Sequence, residues 1–191
     1  IPHRLGLGRK ASELFSFNLD GELNIDEYGK RLINAKFNNI RLYDGEQSEY
    51  VRNFHICDNN SGEQRLIIVS SDFLNGSIIG NYSLESIIEN LGKMTAKHMP
   101  SLGYNLTKAQ DGCNYIFKFD IRNSHFISKL FNLPVTIRSA SEVSGSCNSE
   151  KGFFRFDTRF NRIDIGNSFF NTITFDGISD KDRFIIKAQA H

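Results

Sequence analysis

Three cysteines and five histidines are the residues of this sequence best suited to covalent chemistry. Cys113 stands in the segment AQDGCNYIF, where a thiolate nucleophile would need a nearby imidazole as base. His125 is the nearest in the chain, but a strand over residues 114–121 would hold it about 26 Å away. His98 ends a predicted helix and can return to Cys113 through the intervening loop, with Asp111 or Asn114 to orient the imidazole. The sequence therefore offers a thiol-dependent hydrolase or transferase as one hypothesis.

A purely structural role explains the same residues. A single cysteine at the start of a strand is more often a buried small apolar residue, and the helix dipole favours a histidine at a helix C-terminus. Cys57, Cys113 and Cys147 are too few and too scattered for a disulfide scaffold or a paired-cysteine zinc site. The sequence predicts no metal site and no cofactor, and at most one disulfide with one thiol left over.

The segment SELFSFNLDGELNIDEYGKRL resembles an EF-hand calcium loop, because acidic and amide side chains alternate in it. With Asn18, Asp20 and Glu22 at the first three ligand positions, Leu23 stands where the loop needs glycine. Gly29 then stands where a bidentate glutamate should close the site. Calcium binding is not expected.

The alternative for this segment is a hairpin followed by a helix. The hairpin turns at residues 20–22, with apolar side chains facing each other across it. The helix is predicted over residues 26–37, because two acids open this segment and cations close it, an order that suits the helix dipole.

Basic residues are concentrated in the segment KGFFRFDTRFNRIDI. Its start resembles the RNA-contacting strand of an RRM domain, but Phe154 and Arg155 replace the small residue and the second aromatic that such a strand needs. An ordinary strand explains it as well, with phenylalanines facing a core and a charged row facing solvent. Lys151, Arg155, Arg159 and Arg162 are the candidate binding residues of that row, for a protein partner or, with weaker support, for nucleic acid or phosphate.

Hydrophobic periodicity predicts the elements that would position these residues. Helical spacing is clearest over residues 83–98, where Ser83 is a candidate N-cap, and a shorter helix is expected over residues 124–134. Alternation predicts six strands, five of them after residue 110, whose segments are RLIIVSS, NYIFKFDI, PVTIRS, FFRFDTRFNRIDI, FFNTITF and RFIIKAQ. The Ser-rich stretch 139–152 is expected to be a loop. The expected fold is α+β, an antiparallel sheet built mainly from the C-terminal half with two or three helices packed on one face.

The 191 residues suit one domain over residues 1–191, with residues 1–10 as a mobile terminus. The 23 Lys and Arg against 22 Asp and Glu do not indicate a polybasic nucleic-acid protein. No apolar run of signal-peptide or membrane-span type occurs, but a chain that starts without Met can be a processed piece, so its compartment stays open. Its richness in Asn and Ile is typical of AT-rich coding, as in bacterial accessory or pathogenicity genes.

A non-catalytic protein-interaction domain is therefore the first functional hypothesis. It rests on the sparseness of catalytic residue types at spacings that a mechanism requires. The thiol enzyme that uses Cys113 with His98 is the alternative, and the basic strand over residues 151–162 as a nucleic-acid or phosphate site is the third.

Overall fold

The computed structural model describes residues 14–28, 30–43, 47–84, 86–87, 112–130, 133–179 and 183–190. These residues form eleven strands and one short helix, all of whose residues are described. The strands are β1 (Leu14–Ile25), β2 (Arg31–Tyr43), β3 (Ser48–Asn60), β4 (Arg65–Ser71), β5 (Leu74–Asn81), β6 (Asn114–Ile121), β7 (Val135–Ile137), β8 (Ser141–Asn148), β9 (Phe153–Ile165), β10 (Ser168–Ser179) and β11 (Phe184–Ala190), and the helix is α1 (His125–Leu130).

All the strands belong to one antiparallel sheet. Ten of them pair in chain order, from β1 through β6 and then from β8 to β11, and β7 pairs with β9 beside β8. Apart from α1 and β7, which lie in the connection between β6 and β8, consecutive strands are neighbours in the sheet, so the fold is an up-and-down meander. Within the described residues, β1 and β11 form its two outer edges.

The prediction of an α+β fold is wrong. Strands account for 73% and helix for 6% of the described residues, where two or three helices packed on one face were expected. The sheet was expected mainly in the C-terminal half of the chain, but five of its strands, β1 to β5, lie in the N-terminal half. Among these five, only β4 belongs to the six strands that the alternation predicts.

The predicted hairpin and helix near the N-terminus are both replaced by strands. Residues 20–22 lie in the middle of β1, where Gly21 pairs with Ala35. The chain turns instead after Ile25, where the Asp26 carboxylate accepts hydrogen bonds from the backbone N–H of Tyr28 and Lys30 at 3.0 and 2.8 Å. In sequence, an aspartate that caps a turn in this way looks the same as an acidic residue at the start of a helix.

The Ser-rich stretch predicted to be a loop contains β8, a central strand. It pairs with β6 on one side and with β9 on the other. Its small residues fit there because aromatic rings of the neighbouring strands need the space. A Cβ added at Gly145 would lie 2.6 Å from the ring of Phe117 and would clash with the carbonyl oxygen of Arg155.

The structure describes only the start of the helix predicted over residues 83–98 and most of the one predicted over residues 124–134. Ser83 begins a helical turn as expected: its hydroxyl accepts from the N–H of Ser86 at 2.9 Å, and the Ser86 hydroxyl accepts from the N–H of Ser83 at 3.0 Å. This reciprocal pair is a capping box. Residues 88–98 of that predicted helix lie outside the described residues. The helix expected over residues 124–134 is found as the shorter α1.

The two faces of the sheet differ in chemistry. We call aromatic face the side that carries Tyr115, Phe117 and Phe119 of β6, and charged face the side that carries Lys118 and Asp120. One row of paired positions crosses ten strands on the aromatic face: Leu23, Ile33, Asp58, Ile67, Ile78, Phe117, Gly145, Phe156, Gly177 and Ile186. The parallel row on the charged face runs Glu22, Asn34, Cys57, Ile68, Ser77, Lys118, Ser144, Asp157, Asp176 and Lys187.

Two buried clusters form the core. The first contains Ile67, Tyr82, Cys113, Tyr115, Cys147 and Phe154. The second contains Ile40, Leu42, Val51, Phe73 and Phe126, the last of which comes from α1. Between them the aromatic face is only half-buried, so much of its stabilisation comes from ring contacts between neighbouring strands.

Candidate functional site

The cysteine chosen as nucleophile is deeply buried. Cys113 is 2% exposed and lies just before β6, where its thiol faces the thiol of Cys147 at 3.8 Å. Its backbone N–H donates to the Ser149 hydroxyl at 2.9 Å, and its carbonyl accepts from the N–H of Ser149 at 2.9 Å. His98 and Asp111, its predicted partners, lie outside the described residues.

The thiol that faces Cys113 lies in an environment that opposes ionisation. Burial, together with the neighbouring Cys113 thiol, raises the pKa of Cys147 to about 12. Burial also raises the pKa of Tyr115 above its usual range. Electropositive, partly exposed surroundings activate cysteines, whereas apolar burial keeps them inert. This pocket is of the second kind, and the thiol-enzyme alternative stays an untested prediction.

Two histidines in the described residues have polar partners away from Cys113. His55 lies on β3, with its Nε2 2.5 Å from the Oδ1 of Asn34 on β2. His125 begins α1, and its Nε2 lies 3.1 Å from a carboxylate oxygen of Glu49. Neither pair was predicted, because each joins residues far apart in the chain.

The structure places three of the four predicted binding residues on β9. Arg155 donates two hydrogen bonds to Asp157 at 2.9 and 3.0 Å, and Arg159 pairs in register with Glu142 of β8. Arg162 donates to Asp164 at 3.4 Å. Arg155 and Arg159 therefore lie on the charged face, as the predicted row requires. Arg162 does not belong to that row, because the alternation along β9 places it on the aromatic face with Phe156 and Phe160.

Lys151 lies apart from them, exposed in the turn between β8 and β9. Its backbone N–H donates to the side chain of Asn148 at 3.0 Å. Arg162 has a further contact, because its guanidinium carbon lies 5.0 Å from the centre of the Phe169 ring. The four basic residues thus do not form one compact cluster.

The outer strand β1 is the feature that the sequence analysis missed. Its aromatic-face side chains stand in solvent: Phe17 is 42%, Leu19 60%, Leu23 60% and Ile25 62% exposed. No described strand pairs with the outer side of β1. The strict alternation of apolar and polar residues from Phe15 to Ile25 was a signal for one long strand, hidden by the turn-like residues 20–22.

Groups of metal ligands were sought among the described residues, and no three His, Cys, Asp or Glu side chains converge there. In the same part of the chain, no helix has the length and apolar character to cross a membrane. The fold and the exposed strand define an all-β protein with an open meander sheet. Comparison with known proteins gives no match to a family model, a curated protein or a solved structure.

Proposed function

We propose that this protein is a non-catalytic protein-binding domain that accepts an extended segment of its partner along β1. The observation that carries the proposal is the exposure of Leu19, Leu23 and Ile25 on a twelve-residue outer strand. Proteins usually shield such an edge with lysine, proline or a bulge, because its backbone groups are a template for pairing. Leu14–Ile25 contains neither lysine nor proline, and the register shift in its pairing with β2 lies between Ser16 and Asn18, so the segment from Leu19 to Ile25 pairs regularly.

The chemistry of β1 defines the partner segment. An added strand would continue the alternation, with apolar residues on the aromatic face and polar residues on the charged face. Asp20 and Glu22 occupy the charged face of β1. We therefore expect lysine or arginine at the facing positions of the partner, because opposite charges on adjacent strands stabilise pairing.

The basic residues predicted from sequence form the second part of the proposal. Arg155 and Arg159 are exposed on the charged face near the other edge, and a protein partner with matching carboxylates would contact these two residues. Arg162 and Lys151 lie outside this surface. The nucleic-acid alternative has less support, because four cations and four anions alternate over β6 and β8 to β11. They are Lys118, Arg155, Arg159 and Lys187 against Asp120, Glu142, Asp157 and Asp176. Phosphate binding needs an excess of cations.

A second candidate function is the binding of a long apolar molecule, such as a lipid acyl chain, on the aromatic face. It is favoured by a series of ring contacts across several strands, with centroid distances of 5.4–6.2 Å from Phe17 through Phe37 and Phe54 to Phe73. Half-buried rings that form a continuous apolar surface fit a ligand without polar groups.

Selection of peptides from a displayed library of twelve-residue sequences tests the β1 proposal. We expect the wild-type protein to enrich alternating peptides that carry Lys or Arg. The double substitution Leu19→Lys and Leu23→Lys should weaken their binding by at least about 10-fold, because it places charge where apolar side chains would be buried. Both positions are 60% exposed, so the unfolding free energy should change by less than about 1 kcal/mol.

Two control variants locate the binding surface. Ile68→Lys with Ile116→Lys adds the same charge at exposed apolar positions of inner strands and should leave peptide binding unchanged. Arg155→Glu with Arg159→Glu tests the basic surface. Peptides that bind the Leu19 and Leu23 variant as tightly as wild type would contradict the β1 proposal. A dansylated fatty acid that binds wild type and variant alike, with no peptide enriched, would favour the second candidate.

A further inference from the structure

The two buried cysteines form a pair that the binding function does not use. The sulfur atoms of Cys113 and Cys147 are 3.8 Å apart, although 34 residues separate them in the chain. Both side chains lie in the first core cluster, 2% and 5% exposed, against Tyr115 and Phe154. The third cysteine, Cys57, lies on the charged face in the row of Lys118.

The backbone holds this pair in place. Cys147 pairs in register with Tyr115, two residues after Cys113. The reciprocal hydrogen bonds between Cys113 and Ser149 fix the chain just before β6 against the end of β8. A disulfide needs its sulfurs about 2.05 Å apart, so rotation of the two side chains within the pocket must close a gap of less than about 2 Å.

We propose that Cys113 and Cys147 form a disulfide when the protein meets a small-molecule or protein disulfide as oxidant. One thiolate attacks the oxidant and releases one of its sulfurs as a thiolate. The second cysteine then attacks the mixed disulfide, so the S–S bond forms between the two residues. Two protons and two electrons leave the protein, and the oxidant is reduced to two thiols. Cys57 takes no part.

The burial of the pair determines when the reaction occurs. Both thiols are buried away from a dissolved oxidant, and burial raises the pKa of Cys147 to about 12. Oxidation is therefore expected to be slow on the folded protein and fast while the chain folds or opens locally. Once formed, the bond is shielded from reductants by the same burial.

The bond would join the start of β6 to β8 and close a loop that contains α1 and β7. Closing a loop of this length restricts the unfolded chain, and we expect the oxidised protein to melt on the order of 10 °C above the reduced one. Only these two sulfurs are placed for the bond, since Cys57 lies on the other face of the sheet.

The test starts from fully reduced protein in mild denaturant with oxidised and reduced glutathione. After oxidation, thiol titration in strong denaturant should find one free thiol instead of three, and the mass should fall by about 2 Da. Peptide mapping should link Cys113 to Cys147. Three remaining thiols, or a link that involves Cys57, would overturn the proposal.

Two variants separate the disulfide from other effects of oxidation. Cys57→Ser should retain the linkage and the rise in melting temperature. Cys113→Ser with Cys147→Ser should melt at the same temperature with and without oxidant. A rise of equal size in this double variant would also overturn the proposal. None of these measurements depends on the peptide-binding result, so failure of the β1 proposal leaves them unaffected.

Discussion

Asp58→Ala should lower the unfolding free energy by about 3 kcal/mol, with a melting temperature roughly 10 °C below wild type. Asp58 lies in the middle of the aromatic face, where its carboxylate accepts from the Nε and Nη2 atoms of Arg65 at 2.8 and 2.6 Å. Arg31 donates to the same carboxylate at 3.3 Å. The side chains of Arg65 and Asp58 are 8% and 9% exposed, so the variant leaves a buried guanidinium without this carboxylate.

The surroundings of this ion pair strengthen the expectation. The guanidinium carbon of Arg65 lies 5.6 Å from the ring centre of Tyr82, whose hydroxyl donates to the Ile78 carbonyl at 3.0 Å. Burial raises the pKa of Tyr82 to about 12, and the Asp58 carboxylate contributes to this rise. Loss of the carboxylate therefore disturbs a connected group of buried polar side chains.

Thermal unfolding followed by far-ultraviolet circular dichroism measures the effect, since the chain has no Trp. Asp157→Ala is the matched control: it removes the partner of Arg155 in an exposed ion pair and should leave the melting temperature nearly unchanged. Replacing both Asp58 and Arg65 by Leu and Met should recover part of the loss, because the only charge that remains there is that of the more exposed Arg31. Equal melting temperatures for Asp58→Ala and Asp157→Ala would contradict the assigned burial.

Gly145→Val should lower the unfolding free energy by about 3 kcal/mol through overpacking in the centre of the sheet. An added Cβ would lie 2.6 Å from the Phe117 ring and would clash with the Arg155 carbonyl oxygen. The ring has little room to move, because its centroid lies 6.3 Å from that of Tyr115 and 6.5 Å from that of Phe154. The backbone oxygen belongs to the neighbouring strand and cannot yield without disrupting the pairing.

Gly21→Val is the control for this substitution, because Gly21 faces the same side of the sheet on the outer strand. A Cβ there would lie 3.4 Å from its nearest neighbour, the Asn34 carbonyl oxygen. Valine suits a strand and restricts the unfolded chain more than glycine does, so stability should stay the same or increase. Urea unfolding compares the two variants. Similar midpoints for Gly145→Val and Gly21→Val would contradict the close packing of rings on β8.

The sequence predicted much of the C-terminal half of the sheet. Alternation located β6, β7, β9, β10 and β11 there, and β4 in the N-terminal half, because their apolar residues recur at every second position. In β9 it also assigned Phe154 and Phe156 to one face and Arg155 and Asp157 to the other, which the register confirms. Such strands are visible in sequence since one face must be apolar to be buried.

The rest could not be predicted because it depends on neighbouring strands. In β8, Ser and Gly indicate a loop until the ring of Phe117 is seen to occupy the space above Gly145. In β1, Asp20 and Gly21 indicate a turn, although the chain continues straight through them. Local propensity was overruled in both places by tertiary packing.

The candidate sites depended even more on the three-dimensional arrangement. The proximity of Cys113 to Cys147 arises only when β6 pairs with β8, and β8 was not expected to be a strand. The exposure of Leu19 and Leu23 follows from the position of β1 at an edge, which no local pattern encodes. The alternation of Arg155, Asp157 and Arg159 was visible in sequence because it is local.

The order of the strands determines both the aromatic face and the free edge of β1, and interstrand nuclear Overhauser effects in a labelled sample measure that order directly. We expect contacts that connect β6 to β5 through Phe117 and Ile78, and β6 to β8 through Phe117 and Gly145. The outer side of β1 should show no contact with β2 to β11. Direct contacts between β6 and β9 across a looped 141–148 segment, or β1 paired with β11, would contradict the open meander.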